Sequence, residues 1–200
     1  SYPDKSVDKP INYISISEYF RTADGYLQQI EAYADSSYGS ESEYGARSQQ
    51  GYVLFFGGGP IDWSSNRQTT VSTSSAQAEF VCAFQTSRNV VYFRSLLEEL
   101  SLIQRGPTTI WEDNSACIAM SKNPINHKTN KHIAIKYHYL RDLVDNQIVR
   151  LEYIETIDQI ADIFTKPVPP RVFTHLVHFL VRPCSKPPVS SSTSKTPSSS

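Results

Sequence analysis

The stretch Ile110–Met120, "IWEDNSACIAM", carries an apolar segment into Glu112, Asp113 and Asn114 and then into what reads as the first turn of a helix. Two physical accounts compete for those polar residues. Asp and Asn cap helices because their side-chain oxygens accept from the orphan N–H groups of the first turn. A carboxylate at the carboxyl end of a strand also stands at the rim where α/β sheets bind ligands and metals. Where the other acids of the chain fall decides between them.

Working outward, "TTIWED" is a strand after the Gly106-Pro107 break, and "NSACIAMSKN" is a short helix that stops before Pro124. Upstream, Leu27 to Tyr33 reads as a first strand leading into "AYADSSYG". "GYVLFFGG" is a strongly apolar second strand, "GGP" turns the chain, and "IDWSS" pairs back as an antiparallel hairpin. "QTTVSTS", rich in β-branched residues, is expected to make the third strand. Ser74 followed by Gln77 is a capping box, and Phe80, Phe84, Val91 and Leu100 then mark the apolar face of a helix running to about Leu100. Downstream, "KHIAIKYHYLRDLVDN" places Ile133, Tyr137, Leu140 and Val144 at helical spacing with a basic outer face. "QIVRLEYIE" alternates as a fifth strand, "DQIADIF" starts a helix stopped by Pro167, and "RVFTHLVHFLV" is a last short helix. The order β-β-β-α-β-α-α-β-α predicts an α/β fold: a five-stranded mixed sheet, three antiparallel strands first, with helices on both faces.

Composition sets the outer bounds. A chain of 200 residues with 39% hydrophobic content supports one ordinary core. The net charge of -1 excludes a uniformly basic nucleic-acid binder, but it averages unlike segments. Residues 1–45 carry eight acids and three bases, whereas residues 122–150 carry six bases and two acids, with His127, His132 and His138 added. Cys82, Cys117 and Cys184 suggest neither a disulfide framework nor a zinc site and fit a reducing compartment. With no signal-peptide pattern and no long apolar run, the chain is expected to be intracellular, in cytoplasm or nucleus, without membrane association. It starts at Ser1 and its only methionine is Met120, so it reads as a piece of something longer. Residues 1–24 are expected to be a connector, 25–182 the domain, and the Ser/Pro-rich 183–200 a disordered tail.

Within that frame Asp35 closes or interrupts the first strand, Glu79 sits in the first turns of the long helix, Asp113 ends the fourth strand, and Asp162 lies near the helix start after the fifth. If the first and fourth strands are neighbours, Asp35 and Asp113 become adjacent, and the two helix starts can bring Glu79 and Asp162 to the same rim. Four converging carboxylates repel, which raises their pKa values or recruits divalent cations. Hard oxygen ligands in an open site suit Mg²⁺ or Mn²⁺. Two such ions about 4 Å apart activate a water on one side of a phosphodiester and stabilise the leaving oxygen on the other.

The strings "YADSSYG", "SSAQAEF", "WEDNSACIAM", "HKTNKHIAIKYHYLRD" and "QIADIFTKP", in this order, resemble the ribonuclease H domain of copia-type LTR retrotransposon polyproteins. The similarity runs from about residue 25 to residue 182 and includes "GGPIDWSSNRQTTVSTSS". It implies a ribonuclease H fold, a preceding reverse transcriptase domain as partner, and cleavage of the RNA strand of RNA–DNA hybrids with two Mg²⁺ ions, with no small-molecule cofactor. It puts the family's metal-binding carboxylates on Asp35, Glu79, Asp113 and Asp162. In three places the chain departs from the family pattern: Gln77 replaces a Glu, Thr129 an Arg, and Ser37-Tyr38 the Asp-Trp that often follows the first acid.

Simpler roles stand beside these. Asn114 can cap the short helix in place of Asp113, Asp158 competes with Asp162, and Glu112, facing the other way on its strand, reads as an ordinary acid. The spacing of His127, His132 and His138 does not put all three on one helical face, so a basic phosphate-contacting surface with Lys128, Lys131 and Lys136 is favoured over zinc. Asn66, Arg67, Gln68 and Asn114 are further candidate contacts to the hybrid, where 2′-hydroxyls distinguish RNA from DNA. Trp63 and Trp111 are expected in the core. The alternative function is a catalytically inactive nucleic-acid-binding remnant that buttresses a polymerase domain; a transposase or integrase is disfavoured by the "HKTNKH" and "ADIFTKP" segments.

Overall fold

Two glycines set the sheet in motion. Gly57 and Gly58 have φ of 67° and 83°, the left-handed region that a two-residue hairpin turn requires and that side chains resist. They join β2 (Gln49–Phe56) to β3 (Gly59–Arg67). In the computed structural model, which describes residues 20–21, 28–38, 47–122 and 131–181, these strands and β1 (Glu31–Ser37), β4 (Thr108–Glu112) and β5 (Val149–Tyr153) form one sheet in the order β3-β2-β1-β4-β5. β1 pairs antiparallel with β2 and parallel with β4, and β5 extends the sheet parallel to β4. The expected mixed α/β sheet, antiparallel at its start, is present.

Two strand expectations shift. β1 begins at Glu31 and continues through Asp35 to Ser37, later than the predicted Leu27–Tyr33, so Asp35 lies inside the strand. The third strand is the "IDWSSNR" segment, and "QTTVSTS" lies in no strand. The physical reason lies in its polar side chains. Gln68 donates to Ala78 O at 2.7 Å and accepts from Ser72 Oγ at 3.0 Å, folding the segment against the first turn of the next helix.

That helix, α1 (Ser75–Glu99), starts as its capping box predicts. Ser74 Oγ accepts from Gln77 N–H at 3.2 Å, and Gln77 Oε1 accepts from Thr73 N–H at 2.6 Å. Its buried face is Ala78, Phe80, Val81, Cys82, Ala83, Val90 and Leu97. The small residues in that set let the helix axis lie close to the sheet. Leu100, expected on this face, is exposed, because the chain leaves the helix there. α2 (Ser115–Lys122) and α3 (Lys131–Asp145) complete this layer, where Phe80, Leu140 and Leu151 are fully buried, each worth roughly 1.5–3 kcal/mol. Phe80 stacks on Tyr137 of α3 with ring centroids 3.9 Å apart.

The opposite face packs α4 (Pro170–Leu180), where Val53, Ile160 and Leu176 form a smaller core with Tyr33 and Phe55. The sheet is therefore covered on both faces. Trp63 departs from expectation: it is 60% exposed on the edge strand β3, where no helix covers it, and Trp111 is partly buried beside Tyr33. "DQIADIF" forms two 3₁₀ turns, Thr156–Asp158 and Ile160–Phe164, in place of the expected helix. Gln159 interrupts it with an extended ψ of 97° and donates its side-chain amide to Ala34 O at 3.0 Å and Trp111 O at 3.3 Å. Pro167 prevents continuation beyond Phe164.

Candidate active site

Because β1 and β4 are parallel neighbours, their carboxyl ends point the same way. The last registered pair is Tyr33 with Trp111, so Asp35 and Asp113 lie two residues further along adjacent chains. Glu79, in the second turn of α1, reaches the same rim. Asp35, Glu79 and Asp113 each present a carboxylate oxygen within 4.8 Å of the other two. Asp35 and Glu79 are buried and Asp113 is partly open, so the cluster has a solvent-facing side.

Asp162 enters from the second 3₁₀ turn and is also buried. It lies in hydrogen-bonding reach of Asp35, and its Oδ1 is 2.7 Å from Lys166 Nζ, which is 4.0 Å from Asp35 Oδ2. The Thr165 hydroxyl donates to Asp35 Oδ2 as well. Asp158, the competing acid, turns outward and pairs with His175 at 2.8 Å on the exposed side of α4. Of the two, only Asp162 faces the cluster.

The electrostatics follow from this crowding. Burial, then the charges of Glu112, Asp35 and Asp113, push Glu79 up to about 11, against a single backbone hydrogen bond from Ser36 N–H. Its Oε2 has no partner among the described residues. Burial raises Asp35 too, with Asp113 adding to it and Thr165 and Lys166 opposing. Asp162 rises to about 6, again chiefly through burial, with the Lys166 hydrogen bond opposing. Burial alone would lower Lys166, but its hydrogen bond to Asp162 and the surrounding carboxylates hold it above the ordinary lysine value. Buried acids driven toward the neutral form, one of them with an unpartnered oxygen, form a donor set suited to a hard divalent cation. Asp35, Glu79 and Asp113 are the residues placed to hold one, with Asp162 on the Asp35 side.

Glu112 corrects the reading of an ordinary acid. It does face away from Asp113, but that direction leads into the core under α1 and α2, because both faces of the sheet are covered. It is 0% exposed, its Oε1 accepts from Asn114 N–H at 3.2 Å, and its Oε2 has no partner among the described residues. Burial, followed by the Asp113 charge, drives it well above the usual carboxylate range. Asn114 caps α2 as expected, its Oδ1 accepting from Cys117 N–H at 3.1 Å.

The proposed nucleic-acid contacts divide. Asn66, Arg67 and Lys136 line one groove together with Gln50, Gln85 and Arg88, in which no acid is found among the lining residues. Lys136 Nζ lies 5.8 Å from the Phe84 ring centroid. Gln68 is 2% exposed, and both ends of its amide are engaged inside the protein, so it serves the fold and has nothing left to offer a ligand. Lys128 lies outside the described residues, as do the side chains of Lys131 and His132. Arg88, Thr165 and Lys166 were not singled out in the sequence. For the last two the signal was present in the "FTKP" string that follows Asp162.

A sheet of order β3-β2-β1-β4-β5 with acids at the carboxyl ends of its two central strands is a ribonuclease H-like fold. LC11-RNase H1, isolated from compost, shares it: TM-score 0.50, 13% identity, covering 70% of this chain and 94% of that one. No family model matches the chain. Over 145 residues it is 37% identical to the retrovirus-related Pol polyprotein from transposon RE1 of Arabidopsis thaliana, spanning 72% of this chain and 10% of the relative. Over 144 residues it is 32% identical to the Pol polyprotein from transposon TNT 1-94 of Nicotiana tabacum, spanning 72% and 11%. The homologues of this chain are thus Pol polyproteins of copia-type retrotransposons, of whose length it spans about a tenth, and its fold is ribonuclease H-like. Among the described residues no helix is long and apolar enough to cross a membrane, and Cys82 and Cys117 are free and buried.

Proposed function

We propose that this domain is a metal-dependent endonuclease that hydrolyses the RNA strand of RNA–DNA hybrids during retrotransposon reverse transcription. The observation that carries the reading is the mutual approach of Asp35, Glu79 and Asp113 within 4.8 Å at the open rim of the sheet. Two Mg²⁺ ions, replaceable by Mn²⁺, would supply an activated water and neutralise the charge developing at the phosphorus. Asp35, Glu79 and Asp113 would hold one ion, and Asp35 with Asp162 would hold the other. The hybrid's phosphates are held by the groove of Arg67, Arg88 and Lys136, with Asn66 and Gln50 offering amides. Asn114, beside Asp113, and the basic residues Lys128, Lys131 and His132 would add contacts to the strand being cut.

Residues 25–182 form the nuclease in this reading, 1–24 connect it to a preceding reverse transcriptase domain of the same polyprotein, and 183–200 are a tail. Incubating the chain with end-labelled RNA–DNA hybrid and Mg²⁺, beside the Asp113→Asn variant, tests the assignment. Cleavage by the parent and its loss in the variant are expected; equal cleavage by both defeats it.

A further inference from the structure

We propose that Lys166 is a built-in cation that occupies the Asp35–Asp162 side of the site, so that a divalent ion enters there only by displacing it. The inference rests on the metal-binding reading above and deepens it by making the two ion positions unequal. The Lys166 ammonium is 2.7 Å from Asp162 Oδ1 and 4.0 Å from Asp35 Oδ2, so it lies against both carboxylates that would hold a second ion. The other three-carboxylate cluster, Asp35, Glu79 and Asp113, has no ammonium or guanidinium paired to Glu79 or Asp113 among the described residues. One position therefore competes directly with an internal charge, and the other meets that charge only through the shared Asp35.

The local chain geometry fixes this competition. The 3₁₀ turn closes with Thr165 N–H and Lys166 N–H both donating to Asp162 O at 3.1 Å, which returns the lysine stem over the acid four residues before it. Thr165 Oγ1 bonds Asp35 and also Asp162 O, tying the turn to the central strand. Behind it, Gly51 leaves room for the turn: a Cβ there would meet Phe164 Cβ at 2.5 Å and Thr165 Cγ2 at 2.9 Å. The Lys166 side chain itself is 37% exposed, so its ammonium has a route to solvent when an ion replaces it. A lysine held this way keeps Asp35 and Asp162 together without metal. It also lowers the apparent affinity of the second position, which therefore fills at higher metal concentration than the first.

Counting bound Mn²⁺ by the electron paramagnetic resonance of the free ion, on the full chain, tests this without relying on turnover. The parent should bind one Mn²⁺ more tightly than a second. Lys166→Met should tighten the second ion by roughly tenfold and leave the first nearly unchanged, whereas Lys166→Arg, which keeps the charge, should resemble the parent. Lys166→Gln replaces the Met variant if the latter does not fold. Unchanged second-ion affinity on removal of the charge overturns the inference while leaving the nuclease reading intact. Absence of Mn²⁺ binding in the parent, or binding unaffected by Asp113→Asn, defeats the metal reading and this inference with it.

Discussion

Replacing Glu112 by Gln should flatten the pH dependence of stability of the metal-free protein. Glu112 is fully buried beside Glu79, and both are driven upward from an ordinary value of 4.5, Glu79 to about 11. A carboxyl whose folded pKa lies above its unfolded one stabilises the fold fully below the unfolded value. That contribution is lost as pH rises toward the folded value, because the unfolded chain ionises while the folded one retains its proton. A group that keeps its proton in the fold while the unfolded chain ionises costs roughly 1.4 kcal/mol per pH unit, and burial puts Glu112 in that position above the ordinary carboxylate range. In a domain of this size each kcal/mol lost lowers Tm by roughly 2–4 °C. Glu79 adds a loss in the same direction. Gln keeps an acceptor for the Asn114 N–H but cannot ionise. Thermal melts followed by circular dichroism in EDTA across this range should show near-equal stability at the acid end and a widening advantage for Glu112→Gln above it. Parallel stability–pH curves for the two proteins would refute the reasoning, since they would mean that Glu112 is as free to ionise in the fold as in the unfolded chain.

Two further outcomes follow from the same geometry. Mg²⁺ binding requires Glu79, at about 11, and Asp162, at about 6, in their ionised forms, so uptake near neutral pH should release protons and tighten as pH rises. Titration calorimetry in buffers of different ionisation enthalpy reads this directly, and a buffer-independent heat would contradict it. Gly51→Ala should destabilise the domain by about 1–3 kcal/mol and displace Thr165 from Asp35, because the added methyl meets the 3₁₀ turn at 2.5 and 2.9 Å. Denaturant melts at unchanged m-value check the first effect, and a weaker second Mn²⁺ site the other.

The sequence by itself determined the order of elements and the local signals that start and stop them. The Ser74–Gln77 capping box, the Gly57–Gly58 turn and the Asn114 cap act within a few residues, so their geometry is written where they stand. The same locality placed Asp35 and Asp113 near strand ends. Tertiary structure alone decided what lies beside them. That Asp35 meets Asp113 depends on β1 pairing with β4 across more than seventy residues, a contact no local pattern encodes. That Glu112 is a buried acid and not a solvated one depends on α1 and α2 covering the face it points to. The "DQIADIF" segment looked helical by its neighbours, yet Gln159 found its hydrogen-bond partners on β1 and β4, and that long-range demand made 3₁₀ turns. Those turns are what bring Asp162 and Lys166 to Asp35. Side-chain chemistry is carried by the sequence, but pKa, pairing and access are set by neighbours that only the folded chain supplies.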